Sequence, residues 1–202
     1  MPRTTEANQR IREAQREKIL DAARSVFARK GRAATIADVA AEAEISQGLA
    51  YRYFASKEAL FQALAEQTTQ SILTTLQRIM DMPGTPGERL EFLISRAVKG
   101  QREHREIFQL LDQVFSEEAA PADVRELAWR QGQALRGVMR QLIVEGQATG
   151  EVAAGDPDQL VTVVMACLRG LTLLALRNPE RFNQHVPDAT LILRILKPCA
   201  GQ

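Results

Sequence analysis

The chain has 202 residues, 45% hydrophobic and 25% charged, which suits a folded globular protein with a sizeable core and excludes a disordered or fibrous one. The net charge of +1 argues against a strongly basic nucleic-acid binder. The charge is uneven, however: residues 1–60 carry 11 Lys and Arg against 8 Asp and Glu, and the remainder 15 against 17. The sign of that split fits an N-terminal contact with DNA, but its size requires affinity to come from local placement and from doubling in a dimer.

Residues 1–14 are polar and include Arg3, Arg10 and Arg12. They read either as a frayed, solvated terminus or as a basic arm reaching a neighbouring minor groove. Residues 15–30 predict a first helix, with Ile19, Ala22, Ala23, Val26 and Phe27 at helical spacing and Gly31 as its stop. Arg29 and Lys30 fall in its last turn, where the helix dipole favours cations. Thr35 with Asp38 three residues on has the form of a capping box, followed by an apolar face of Ile36, Ala37, Val39 and Ala40. A turn at Ala43, Glu44 and Ile45 leads to Ser46, a good N-cap for a second short helix over residues 47–54. Ser56 caps a third that begins at Lys57. Two short helices with so brief a turn predict a helix-turn-helix, whose second helix enters the DNA major groove.

The second helix supports that reading by what it leaves outside. Ala50 and Phe54 are four apart and share an inward face. Gln47, Gly48, Tyr51 and Arg52 then point outward, flanked by Leu49 and Tyr53. Gln pairs bidentately with adenine and Arg with guanine. Tyrosine hydroxyls and a helix N-terminus bind phosphates. Leu49 suits a thymine methyl, and Gly48 lets backbone approach backbone.

Residues 56–80 predict one long helix carrying Leu60, Leu64, Ile72, Leu76 and Ile79, on the order of 35 Å at 1.5 Å per residue. Residues 81–87 break it. Thr85, Pro86 and Glu88 predict a new capped start, with Leu90, Leu93, Ile94, Ala97 and Val98 continuing to about Gly100. Residues 105–118 predict a further helix. Another opens at Pro121 and runs to about Gly146, striped by Val124, Ala128, Leu135, Val138 and Leu142. Trp129 lies off that stripe and faces solvent, a partner or a pocket wall. Asp156, Pro157, Asp158 and Gln159 predict a capped start for residues 160–176, apolar nearly all round but interrupted by Arg169. That run is shorter than the ~20 apolar residues of a membrane span. Ala166 and Gly170 would let a second helix approach closely. Residues 188–196 predict the last helix, stopped by Pro198.

Catalytic and metal chemistry find little here. His104 and Asp112 lie two turns apart on one predicted helix, about 12 Å, too far to share a metal. There is no Gly-rich phosphate loop, no GxSxG and no zinc spacing. Cys167 and Cys199 form no CxxC, so reduced, buried thiols in a cytoplasmic protein are the expectation. No catalytic residue, metal or cofactor is assigned, and residues 1–18 carry no apolar signal-peptide core.

Thr35, Ile36, Ala37, Ala40, Ile45, Ser46, Gly48, Tyr51, Tyr53, Phe54, Ser56, Lys57, Glu58 and Leu60 together resemble the DNA-binding signature of tetracycline-repressor (TetR) family regulators, over roughly residues 15–62. The resemblance implies an all-α, two-domain homodimer: a helix-turn-helix DNA-binding domain over residues 1–60, and a helical effector-binding and dimerisation domain over 61–202. It places Thr35, Ser46, Gln47, Gly48, Leu49, Tyr51, Arg52, Tyr53 and Lys57 at the operator. It implies a four-helix dimer seam from residues 160–176 and 188–196 of each subunit, and a repressor released by a small organic effector. A constitutive regulator, or a helical protein-interaction module, is the alternative. Candidate pocket walls are Phe92, Phe108, Phe115, Trp129, Met139 and Met165, with Arg96, Asp112, Gln113 and Arg169 as polar contacts. Two departures from the family pattern stand out. Glu44 occupies a turn position where the family usually has Gly, so either the turn avoids positive φ or Glu44 is strained. Ala50 replaces a larger apolar residue.

Overall fold

The computed structural model describes residues 5–103 and 122–198 and is all-α over them. Its helices are α1 (Thr5–Lys30), α2 (Ile36–Glu42), α3 (Gln47–Tyr53), α4 (Lys57–Asp81), α5 (Pro86–Glu103), α6 (Ala122–Ala148), α7 (Pro157–Arg177), α8 (Pro179–Gln184) and α9 (Ala189–Leu193). Short 3-10 turns follow α1 at Gly31–Ala33 and α9 at Arg194–Leu196. The chain divides into two compact units: one runs to Thr69 and also takes in the start of α6, and the other holds the rest.

In the first unit, Ile19, Leu20, Ala23, Val26 and Phe27 of α1 pack with Ile36, Val39 and Ala40 of α2, with Ala50 and Phe54, and with Leu60 and Leu64 of α4. Phe27 and Phe61 meet edge to face, ring centroids 5.3 Å apart. Polar contacts at the rim join the same elements. Arg24 donates to Gln67 Oε1 at 3.1 Å, and Gln67 in turn donates to Glu17. α1 starts at Thr5, ten residues earlier than the sequence periodicity predicts. Residues 5–14 are helical, which sets aside the frayed-terminus reading. No Gly or Pro interrupts Thr5–Lys30, and polar i,i+4 pairs stand where the apolar stripe is missing: Arg10 with Glu6, and Gln9 with Glu13 at 3.1 Å. At the other end Gly31 takes φ 54° and stops the helix, as predicted.

In the second unit, Leu76 and Ile79 of α4 join Leu90, Leu93, Ile94 and Val98 of α5 and Met139, Leu142 and Ile143 of α6. Val161, Val164 and Leu168 of α7, with Ile192, Leu193 and Leu196, complete the core. The predicted capping box before α5 is present: the Thr85 amide donates to Glu88 Oε2 at 2.8 Å, and the Glu88 amide to Thr85 Oγ1 at 3.3 Å. Asp156 caps α7 by accepting from the amides of Asp158 and Gln159. α7 has the length and composition to cross a membrane, but Arg169 and Arg177 interrupt its exposed side while Val161, Val164 and Leu168 pack into the core.

The sequence reading did not contain α8. Asn178 makes it: its N–H closes the end of α7 on the Leu174 carbonyl at 3.0 Å, and its side chain accepts from the Arg181 amide at 3.2 Å. One residue thus ends a helix and begins the next, with Pro179 in the first position that tolerates it. The helix predicted over 105–118 lies outside the described residues, as do His104, Pro121 and Cys199.

Candidate nucleic-acid interface

Helix α3 has seven residues, too few to be stable alone. Its conformation is imposed from both ends. At its start Ser46 Oγ accepts from the Leu49 amide at 3.2 Å. At its end Phe54 is buried in the core of the first unit, with the Arg16 guanidinium 5.4 Å from its ring centroid. Ala50 is the buried residue within the helix itself. A larger side chain there would push α3 off its support, so the small residue sets a close approach.

The turn before α3 has a defined form. The Ile45 amide reaches back to the Ala40 carbonyl at 2.9 Å, and the Glu44 amide to Ala41 at 3.1 Å. This pair of bonds is a Schellman motif, with Ile45 and Ala40 supplying its apolar contact in the core. The motif needs a left-handed residue at the position Glu44 fills. Glu44 has φ 53° and is the one non-glycine residue with positive φ among the described residues. The alternatives posed by the sequence therefore resolve toward strain at Glu44.

α2 is held by its capping box. The Asp38 amide donates to Thr35 Oγ1 at 3.1 Å, and the Thr35 amide to Asp38 Oδ2 at 3.0 Å. The Thr35 hydroxyl also donates to Asp38 Oδ2 at 2.9 Å, so within this box it has no spare donor. Lys30 Nζ lies 2.7 Å from Asp38 Oδ1, and Arg29 contacts Glu42 at 2.7 Å. These pairs tie α1 to α2 and compensate two cations that would otherwise add to the positive field. The Lys30 ammonium, then Thr35, hold the Asp38 carboxyl below its ordinary range.

What remains outward is the face predicted from sequence. Thr35, Ser46, Gln47, Gly48, Tyr51 and Arg52 are exposed, Tyr51 by 49%. Leu49, Tyr53 and Lys57 are half-buried, Tyr53 against the core. No acidic residue interrupts α3. The Arg52 side chain makes no hydrogen bond or ion pair with any other described residue. A Cβ built on Gly48 meets nothing within 4 Å, so neither packing nor backbone conformation inside the chain requires glycine there.

The residues named for an effector differ in exposure. Phe92, Arg96, Trp129 and Arg169 are exposed, Trp129 by 59%. Met165 is half-buried and Met139 fully buried in the second core. Phe108, Asp112, Gln113 and Phe115 lie outside the described residues. The second unit also carries an open groove of about 530 Å³ lined by Leu171, Leu174, Asn178, Arg181, Phe182 and His185 among others. Sequence reasoning missed a buried polar pair, Gln101 and Thr172, joined at 3.2 Å.

A capped helix-turn-helix with an acid-free outer helix on an all-helical scaffold defines a DNA-binding regulator rather than an enzyme. Residues 19–64 match the bacterial regulatory proteins of the tetR family, and residues 86–191 match the C-terminal domain of BetI-type transcriptional repressors. The chain belongs to the TetR family of transcriptional regulators. No curated protein sequence matches it. Solved structures share the fold. A TetR-family regulator from Agrobacterium tumefaciens is 20% identical with a TM-score of 0.78, over 91% of this chain and 98% of that one. A transcriptional regulator from Saccharomonospora viridis in complex with choline is 20% identical with a TM-score of 0.77, over 91% and 94%. FadR from Bacillus subtilis in complex with stearoyl-CoA is 17% identical with a TM-score of 0.67, over 89% and 94%.

Two outcomes follow from the turn and the box. Glu44→Gly removes the left-handed strain and should raise stability by about 1 kcal/mol, read in urea melts; no gain, or a loss, would show that Glu44 is unstrained. Because the folded Asp38 carboxyl titrates below its unfolded value, its stabilisation is complete above the ordinary carboxylate range and is lost as pH falls through the depressed value. The stability gap between wild type and Asp38→Asn should therefore be full at pH 7 and close on acidification below about pH 4.

Proposed function

We propose that this protein is a repressor that binds a palindromic DNA operator as a homodimer and leaves it when a small organic effector binds. The observation that carries the reading is the outer face of α3: Gln47, Gly48, Tyr51 and Arg52 are exposed, free of acid, and held by a helix that contributes little else to the fold. In this reading Gln47 and Arg52 read base edges, while Tyr51, Lys57 and Ser46 contact phosphates, and Thr35 reaches one only by giving up its hydroxyl bond to Asp38. Leu49 and Tyr53 supply apolar contact. Gly48 admits the DNA backbone, which gives a reason for a glycine that the fold itself does not need. Operator binding is assigned to residues 1–60, and effector binding and dimerisation to residues 61–202. A cytoplasmic location accompanies a DNA target.

Dimerisation is supported by an exposed apolar face on α7. Val163, Ala166 and Leu174 are exposed, Leu174 by 58%, and a Cβ on Gly170 between them meets nothing within 4 Å. Leu191 and Ile195 are also exposed, four residues apart on the last helical segment. Small residues flanked by large apolar ones suit the close crossing of a second copy. The effector is supported by the fold relatives that hold choline and stearoyl-CoA, and by the match to a BetI-type repressor domain.

Gly48→Ala discriminates between a structural and a recognition role. It should keep or raise stability, by up to about 1 kcal/mol from helix propensity, yet weaken operator binding in a gel shift. Tyr51→Ala and Lys57→Ala should weaken binding without changing the dimer, and Arg52→Ala should also relax base preference by about 1–3 kcal/mol. Normal binding by all four would remove α3 from the operator. For the seam, the double variant Val163→Glu, Leu174→Glu should sediment as a monomer with its helical circular dichroism intact and lose operator affinity; a dimer of unchanged stability would place the interface elsewhere.

A further inference from the structure

Gln101 lies on α5 and is only 3% exposed. Its Nε2 donates to the Leu168 carbonyl on α7 and to Thr172 Oγ1, each at 3.2 Å. The Thr172 hydroxyl donates to the same Leu168 carbonyl at 3.0 Å. A carbonyl only accepts, so these bonds fix which end of the Gln101 amide carries nitrogen. The other end, Oε1, is buried and has no hydrogen-bond partner among the described residues. Gln131 on α6, 8% exposed, repeats the situation: its Oε1 is also buried without a partner. Leaving a buried acceptor unmade is costly, and a native fold that keeps one holds it for a reason outside the folded chain's own bonds. The buried side-chain atoms of this unit without a partner among the described residues are Arg89 Nε, a donor, and these two glutamine oxygens, which are acceptors and call for a donor.

Resting on the effector reading above, we infer that Gln101 Oε1 is the polar handle of the effector site, and that the effector presents an O–H or N–H donor to it. The class is therefore an alcohol, amine or amide rather than a carboxylate, whose oxygens would face Oε1 with lone pair against lone pair. Thr172 and the Leu168 carbonyl act as positioning groups: they turn the amide so that its oxygen is presented. Because the handle bridges α5 and α7, a donor that pulls on Oε1 acts on the contact between those helices.

The test uses the full-length dimer and a fragment panel of matched pairs, each an alcohol with its methyl ether, followed by thermal shift and by titration. The alcohol of a pair should bind about fivefold more tightly than its ether, the worth of one neutral hydrogen bond. In Gln101→Met that preference should vanish while the melting temperature of the free protein holds or rises, because an unmet acceptor has been removed. Thr172→Val, which keeps Gln101 but frees its amide to turn, should reduce the preference while leaving operator binding intact. A preference that persists in Gln101→Met, or ethers that bind wild type as well as alcohols, overturns the assignment of Gln101 while leaving the effector reading standing. If no fragment of either kind shifts wild type, the effector reading fails with it.

Discussion

The outer face of α3 depends on the hold that the first core keeps on Ala50 and Phe54. A helix of seven residues gains too few internal bonds to offset the cost of starting it. α3 exists because Phe54 is buried behind it, Ser46 closes its first turn, and the Ile45 amide bonds back to Ala40. Its remaining side chains carry little of the folding free energy, so they are free to be chosen for what they touch outside. An exposed side chain such as Arg52 therefore bears little on the fold, while the buried Ala50 leaves no room for a larger one.

Electrostatics works locally rather than through net charge. The +1 total conceals a division of labour among the cations of the first unit. Arg29 and Lys30 are paired with Glu42 and Asp38 and fasten α1 to α2, and Arg16 lies over Phe54. Arg52 has no such partner among the described residues. Exposed pairs of this kind contribute little stability each, so their larger effect is to subtract charge from where it is not used.

Much of this was legible in the sequence, because its signals are short and local. Thr35 with Asp38, Ser46, Thr85 with Glu88, and Asp156 mark helix starts through bonds that span three residues, and each is found where the spacing puts it. The inward pair Ala50 and Phe54 followed from period alone. Three features were hidden for physical reasons. The first ten residues of α1 lack an apolar stripe, so periodicity is silent where polar side-chain pairs sustain the helix. Gln101 continues the apolar row of Ile94 and Val98, but a glutamine on such a row reads as surface until its burial is seen. The Asn178-Pro179 step carried a helix-start signal that the apolar run before it masked. The turn at Glu44 was undecided in sequence because residue type alone does not fix the sign of φ.

Asn178 has a mechanical consequence. Its main chain terminates α7 and its side chain anchors α8, so no flexible spacer separates the two. They form an elbow with the joint locked. A tilt of α7 swings α8 with it, and the walls of the groove from Leu171 to Phe182 travel as one body instead of opening like a hinge. Lengthening the corner by a single residue would decouple the two arms without removing a single apolar contact from either.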